Sequence, residues 1–245
     1  RVAAVEPLGP PSETAAVPAP GAIPAAAPAA ADRPERTEPT AIERRRATAN
    51  AGRGLVGHTA LTVPAGSVEV SMRSIVPYAG LATIAAGISS TTELSADLGG
   101  ALDSDGPVAI YGAGIKQVLV RGDRMQLSVG GSIRRIQEGR TLTMGQFGGT
   151  LSACTDSECT GLFSAGISGV FVPREEVMVP VLSLGLSVGS EHTRLLGEAF
   201  MIAGGAILFG GLRFGSARFT GDLGLMSVLE DGTELMPFVG FGVRM

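Results

Sequence analysis

From Leu61 onward, apolar and polar residues alternate with a period of two, in segment after segment. Successive side chains of an extended strand point to opposite faces, so each segment reads as a strand with one apolar face. The last hairpin shows this most fully. Arg218, Thr220, Asp222 and Gly224 alternate with Phe219, Gly221, Leu223 and Leu225. After the sequence LEDGTE, Glu234, Met236, Phe238, Gly240, Gly242 and Arg244 alternate with Leu235, Pro237, Val239, Phe241, Val243 and Met245. The charges sit in mid-strand, opposite the apolar face. A soluble β-sandwich also alternates but buries its apolar face. Here few polar loops are available to keep an outside wet.

About twelve segments can be marked: 66–74, 78–89, 93–102, 108–120, 124–134, 141–153, 161–172, 177–188, 194–202, 206–214, 218–228 and a final one to residue 245. In 124–134 the alternation is cleanest, with Arg124, Gln126, Ser128, Gly130, Ser132 and Arg134 on one face. Mean hydropathy is +0.31 and charged residues are 17%, yet no apolar run approaches the length of a membrane-spanning helix. An unpaired backbone group in lipid costs several kcal/mol, so strands in a bilayer must close on themselves. The expected fold is all-β: an antiparallel up-and-down transmembrane β-barrel of about twelve strands with a disordered N-terminal tail. An even strand count returns both barrel ends to the periplasmic side, together with turns near 89–91, 121–123, 154–159, 190–193 and 215–217. All connections are short, and none has the length of a plug or lid. Aromatics are only 4%, so the interface girdles fall mainly to Phe200, Phe209, Phe214, Phe219, Phe238 and Phe241.

Residues 1–53 differ. They are Pro/Ala-rich and lack the periodicity of a core, so they read as a disordered tail or linker, with 54–245 as the barrel. AIERRRATANAG has the makings of a short helical turn, and Arg44, Arg45 and Arg46 form the tail's only basic cluster. That cluster is either a solvated linker or a periplasmic tether to peptidoglycan or anionic headgroups. The chain starts at Arg1 without a charged and apolar leader, so any export signal is expected to have been removed or left out.

If the strand phases hold, both signs of charge line the lumen. The candidates are Glu69, Arg73, Glu93, Asp97, Lys116, Arg124, Gln126, Arg134, Arg194, Glu198, Arg213, Arg218, Asp222, Glu234 and Arg244. Such charges must be paired or hydrated. Hydrated, they make a narrow passive channel for small solutes or ions. Paired, they make a non-conducting structural or interaction barrel with a salt-bridged lumen and a periplasmic docking tail. Twelve strands lies between filled and open barrels. The Ser- and Gly-rich inner face favours the channel.

The segment from about Leu61 to Met245 resembles a widespread group of uncharacterised bacterial outer-membrane β-barrel proteins. The resemblance rests on GGLRFGSARFTGDLGLM, then EDG, then MPFVGFGVRM, with GISSTTELSADLG and GAGIKQVLV echoing further elements of the pattern. In the last, Ile115 separates Gly114 from Lys116. The resemblance implies fold and location: the outer membrane, with lipid and the barrel-assembly machinery as partners; a periplasmic partner of the N-terminal tail belongs to the interaction-barrel alternative. The departure is at the last residue, Met245 where an aromatic is usual, with Phe241 as substitute.

No enzyme is expected. His58 and His192 are the only histidines, and Ser190, Glu191 and His192 share one turn, which cannot form a hydrolase triad. Cys154 and Cys159 in ACTDSEC read as a disulfide in an oxidising compartment, and two cysteines without a nearby histidine lack the ligands for a metal. No phosphate-binding loop occurs, no cofactor is expected, and with a net charge of −4 nothing suggests a nucleic-acid surface.

Overall fold

The computed structural model describes residues 38–245 apart from 56, 104–105, 139 and 230–232. The disordered-tail expectation for residues 1–37 therefore lies outside the described residues. Twelve strands form the wall: β1 (Val68–Ile75), β2 (Ala79–Gly87), β3 (Thr92–Asp103), β4 (Gly106–Arg121), β5 (Met125–Glu138), β6 (Arg140–Cys154), β7 (Gly161–Val172), β8 (Val177–Gly189), β9 (Thr193–Ile202), β10 (Gly205–Gly215), β11 (Phe219–Leu229) and β12 (Thr233–Arg244). Each pairs with the next, and β12 returns antiparallel to β1, so the barrel is closed. Closure leaves no edge strand, and the ladders satisfy the backbone. The first and last strands meet in a register running from Glu69 opposite Arg244 to Ile75 opposite Phe238.

The alternation sorts the faces as the period of two requires. Leu94 and Leu98, Ile115 and Ile133, and Leu182, Leu184 and Leu186 all point outward and are exposed. Together with their counterparts on every strand they make an apolar belt, the outer surface expected of a barrel in lipid. Glu69, Glu93, Asp97, Gln126, Arg213 and Asp222 point inward and are buried. No described helix is long and apolar enough to cross a membrane.

The aromatic assignment needs correction. Phe214, Phe219 and Phe241 are exposed on the outer face near the end of the barrel that carries Val68 and Arg244, hereafter the terminal end, and Phe219 and Phe241 meet edge to face at 4.9 Å. Phe200, Phe209 and Phe238 instead point into the lumen, where Phe209 contacts the other two edge-on at 5.9 and 6.2 Å. Their parity is that of Glu198, Arg213 and Arg244 on the same strands, so their inward direction follows from the pleat.

The larger finding concerns the stretch before β1. Residues from Pro39 onward belong to the same compact unit as the strands. Helix α1 (Ala41–Arg46) is capped by Thr40, whose hydroxyl accepts from Glu43 N while the Glu43 carboxylate accepts from Thr40 N. This reciprocal box satisfies two of the free amides of the first turn. The helix sits at the terminal end: Ile42 N donates to Asp123 O in the β4–β5 turn, and Ala41 and Ile42 pack with Ala51, Leu61, Leu162 and the Cys154–Cys159 disulfide. The chain then enters the lumen, turns back where Gly54 N donates to Gly57 O, and bridges Arg53 to His58 before returning to β1. Residues 39–53, expected in the tail, thus lie against the barrel's inner wall. Among the described residues no strand connection enters the lumen; the plug comes from in front of β1.

Candidate functional site

The lumen is the candidate site. Its plug, residues 39–65, has little regular structure of its own, so its buried amides and carbonyls need partners from elsewhere. The inward side chains of the wall supply them. Arg244 binds Glu69, the residue directly opposite it on β1, with Nη2 at 2.8 Å and Nε at 3.2 Å from Oε2. The same carboxylate oxygen accepts from Asn50 N at 2.9 Å, while Arg244 Nη1 donates to Arg46 O and Ala47 O.

Arg213 and Asp222 form a second pair, again directly opposite on neighbouring strands, with contacts of 2.7 and 2.8 Å. The rest of the guanidinium donates to the carbonyls of Asn50 at 2.9 Å and of Arg53 and Gly54 at 3.0 Å. Glu198 accepts from Leu55 N and Gly57 N, holding the tip of the plug, and Arg73 donates to Gly54 O. On the other side of the lumen, Glu93 accepts from Val63 N at 2.8 Å and lies 3.4 Å from Lys116 Nζ and 3.6 Å from Arg53 Nη2. Lys116 donates to Leu61 O at 2.6 Å, and Gln126 and Ser152 bind Ala60 through its carbonyl and amide. Arg194 donates to Thr48 Oγ1.

Apart from Asp222, whose carboxylate binds Arg213, each of these wall residues reaches backbone or a hydroxyl of the plug. Most of the expected lumen-lining set is therefore inward-facing but occupied. Asp97 and Arg134 pair with each other at 3.0 Å, beyond the plug. Three residues are not brought in. Arg124 and Arg218 lie in turns at the terminal end and are exposed, and Glu234 is exposed near the start of β12. Each has the right parity, but Arg124 and Arg218 stand one residue before β5 and β11, and Glu234 is the second residue of β12, at the other end of the barrel.

The basic cluster is divided. Arg44 is exposed, while Arg45 and Arg46 are buried: Arg45 donates to Ser187 Oγ, and Arg46 to Thr62 O and Val63 O. A solvated-linker reading does not describe Arg45 and Arg46. Sequence reasoning also missed Asn50, Arg53 and Leu55. Asn50 Nδ2 donates to Thr220 Oγ1 at 2.6 Å, and Leu55 is fully buried against Leu196, Phe209, Met226 and Phe238. The signal was faint: short apolar residues interspersed with arginine and glycine, without a period.

Among the described residues of the lumen the charges do not balance. Arg45, Arg46, Arg53, Arg73, Lys116, Arg134, Arg194, Arg213 and Arg244 are nine cations against five carboxylates, Glu69, Glu93, Asp97, Glu198 and Asp222. Three of the nine, Arg45, Arg46 and Arg53, come from the plug.

The plug does not fill the barrel evenly. On the β9–β12 side the apolar cluster around Leu55 closes the space. On the β3–β8 side a cavity of about 150 Å³ remains. Gly57 and His58 of the plug line it, and its walls mix small polar residues such as Ser95, Ser132, Thr150 and Ser183 with glycines and with Ile167, Val181 and Phe200. Arg134 and Asp97 lie in its wall, Asp97 held also by Thr83 Oγ1 at 2.7 Å.

At the terminal end, Cys154 and Cys159 form the expected disulfide. The exposed Asp156 carboxylate in that loop accepts from Thr160 Oγ1 and from the amides of Glu158, Thr160 and Gly161. These donors, the Thr160 hydroxyl foremost, hold its pKa well below the usual carboxylate range. His192 and Glu191 are exposed in the β8–β9 turn, where the Ser190 hydroxyl accepts from the amides of His192 and Thr193, and no described cluster of three or more His, Cys, Asp or Glu could hold a metal.

A closed antiparallel twelve-stranded barrel with an apolar belt and a charged interior is an outer-membrane type of β-barrel. Solved structures of such barrels are similar to it. The KdgM porin in complex with disordered oligogalacturonate matches with a TM-score of 0.59 and 8% identity, over 72% of this chain and 98% of that one. The NanC porin matches at 0.53 and 9% identity, over 73% and 99%. LpxR from Salmonella typhimurium matches at 0.50 and 8% identity, over 74% and 99%. At these identities the likeness is one of fold. No protein-family model and no curated protein matches the chain.

Proposed function

We propose that the protein is an outer-membrane β-barrel held shut by its own N-terminal segment, and that it does not conduct in this state. The observation that carries this reading is the grip on the plug: inward side chains from β1, β3, β4, β5, β6, β9, β10 and β12 bind the backbone of Arg46–Val63. In this reading lipid surrounds the apolar belt, the assembly machinery inserts the barrel, and the terminal end faces the periplasm, where the tail meets any docking partner. The role is passive rather than enzymatic.

A second reading is favoured by the cavity beside the plug. If the plug moves aside, the polar β3–β8 wall becomes one side of a narrow passage for small solutes. The porin likenesses are compatible with this.

Planar-bilayer recording of the full chain tests both. The expected outcome is a silent bilayer with the unaltered chain, and discrete current steps with Glu198→Gln, which weakens the hold on Leu55 and Gly57. Steady open-channel steps from the unaltered chain would overturn the shut-barrel reading and restore the simple passive channel. Silence from both, with the barrel folded, leaves a structural barrel and removes the passage.

A further inference from the structure

We propose that a small inorganic anion, chloride, binds between Arg45 of the plug and Arg194 of β9 and ties the plug to the wall. The site is a second, smaller cavity of about 40 Å³, enclosed by the plug and by β7, β8, β9 and β10. This goes beyond the shut-barrel reading and does not depend on whether the barrel conducts.

Three observations support it. The first is charge without a counter-ion. Arg45 and Arg194 both line the cavity and are only 6% and 5% exposed. Arg45 donates from Nη2 to Ser187 Oγ at 2.5 Å, while its Nε is buried with no hydrogen-bond partner among the described residues. Arg194 donates from Nε to Ser190 O at 3.0 Å and from Nη1 to Thr48 Oγ1 at 3.1 Å. All these partners are neutral. The other arginines of the lining are already paired, Arg53 with Glu93 and Arg213 with Asp222. Glu198, the carboxylate among the described lining residues, accepts from Leu55 N and Gly57 N. Buried charges are costly unless paired. A water can accept from Arg45 Nε, but it cannot neutralise two guanidinium groups.

The second is the field. Arg45 is repelled by Arg194 and by Arg213, and Arg194 is repelled by Arg213. Two carboxylates act in the opposite sense from loops at the terminal end, Asp156 on Arg45 and Glu191 on Arg194. Neither forms an ion pair with its arginine: Asp156 is held by the amides and hydroxyl of its own loop, and Glu191 lies beside His192. The space between the two guanidinium groups is therefore positive, and an anion there attracts both.

The third is size and donors. A water needs about 10–15 Å³ by this measure, so the cavity takes roughly three water-sized bodies. That is room for one monatomic anion with a water, and too little for an organic acid. Ser187 Oγ accepts from Arg45, which leaves its own proton to donate into the cavity. A halide takes N–H and O–H donors from several directions at once, as Arg45, Arg194 and Ser187 present them. Because Arg45 belongs to the plug and the other two to the wall, the anion joins the two parts.

Urea unfolding of the full chain in detergent micelles tests the proposal, in sodium chloride and in sodium glutamate at equal ionic strength so that general screening is the same. Chloride is expected to shift the folding equilibrium toward the folded barrel by about tenfold where it stands at about ten times its Kd, and the shift should saturate. Sodium bromide should act like chloride, and glutamate is too large to enter. Arg45→Gln and Arg194→Gln should each lose the chloride dependence, with the heat-modifiable gel shift of the folded barrel intact. In glutamate both should be at least as stable as the unaltered chain, since each removes one of two repelling charges. Arg44→Gln, the exposed neighbour on the same helix, should keep the full dependence. Equal unfolding of the unaltered chain in both salts would overturn the site. So would variants destabilised alike in chloride and glutamate, or a dependence lost with Arg44→Gln as well. Bilayer current is a separate readout, so this site and the shut barrel fail independently.

Discussion

Among single residues, Arg213 carries the most. Its guanidinium is buried, engages Asp222 twice and serves three plug carbonyls. Breaking a buried pair from one side leaves an uncompensated charge, at a cost of about 3–5 kcal/mol. Arg213→Gln is expected to lower barrel stability by that order in urea unfolding from micelles. Adding Asp222→Asn should recover only part, because the carbonyls of Asn50, Arg53 and Gly54 still lack their donor. Asp156 gives a pH prediction. Its folded pKa is depressed, so its contribution is present above the unfolded value of about 3.9 and fades as pH falls through the folded value. The Thr160 and Gly161 amides should thus keep their exchange protection at pH values where an ordinary aspartate is half protonated. Loss of protection already near pH 5 would show that the hydrogen-bonded loop does not hold the carboxylate down.

At the scale of elements, the plug and the wall are fitted at the tip. A Cβ on Gly54 would overlap the Glu198 carboxylate that accepts from Leu55 N and Gly57 N. The carboxylate can swing away, but only by giving up both amides. Gly54→Ala should therefore leave the barrel folded and loosen the plug. The measurement is hydrogen exchange: the Leu55 and Gly57 amides lose protection while those of β4 and β5 keep theirs. If all remain protected, the tip is held by the apolar contacts of Leu55 rather than by Glu198. The helix is fixed differently. Ala41 and Ile42 lean on the disulfide loop, so the covalent staple is also a seat for α1.

For the whole molecule, the plug alters the electrostatics of the lumen as well as its shape. Without Arg45, Arg46 and Arg53 the described wall has six inward cations against five carboxylates. A chain lacking residues 39–65 that still folds is expected to conduct with little ion selectivity, its reversal potential in a salt gradient lying near zero. A strong anion preference in that deletion would show that the wall charges are not paired across the strands as described. The pairs Glu69–Arg244, Glu93–Lys116 and Asp222–Arg213 are cross-strand neighbours. They should survive removal of the plug, since each depends only on the register of the sheet.

The sequence by itself determined the wall. A period of two fixes which side chains share a face, so the inward set from Glu69 to Arg244 and the outward set of leucines were both legible without coordinates. Even the inward turn of Phe200, Phe209 and Phe238 was present in the parity, and was lost only by grouping aromatics as girdle residues. Three residues at strand ends escaped, because a period says nothing about where a strand stops. The tertiary structure alone decided what occupies the lumen. The plug has no period, since its backbone is satisfied by side chains rather than by a ladder, and each of those partners is remote in the chain. Arg46 and Ala47 meet Arg244, and Asn50 meets Glu69, Arg213 and Thr220. Such contacts depend on closure of the sheet, which brings β1 and β9–β12 around the same segment. Local pattern therefore placed the charges inside, and only the closed barrel showed that most of them hold the chain's own backbone.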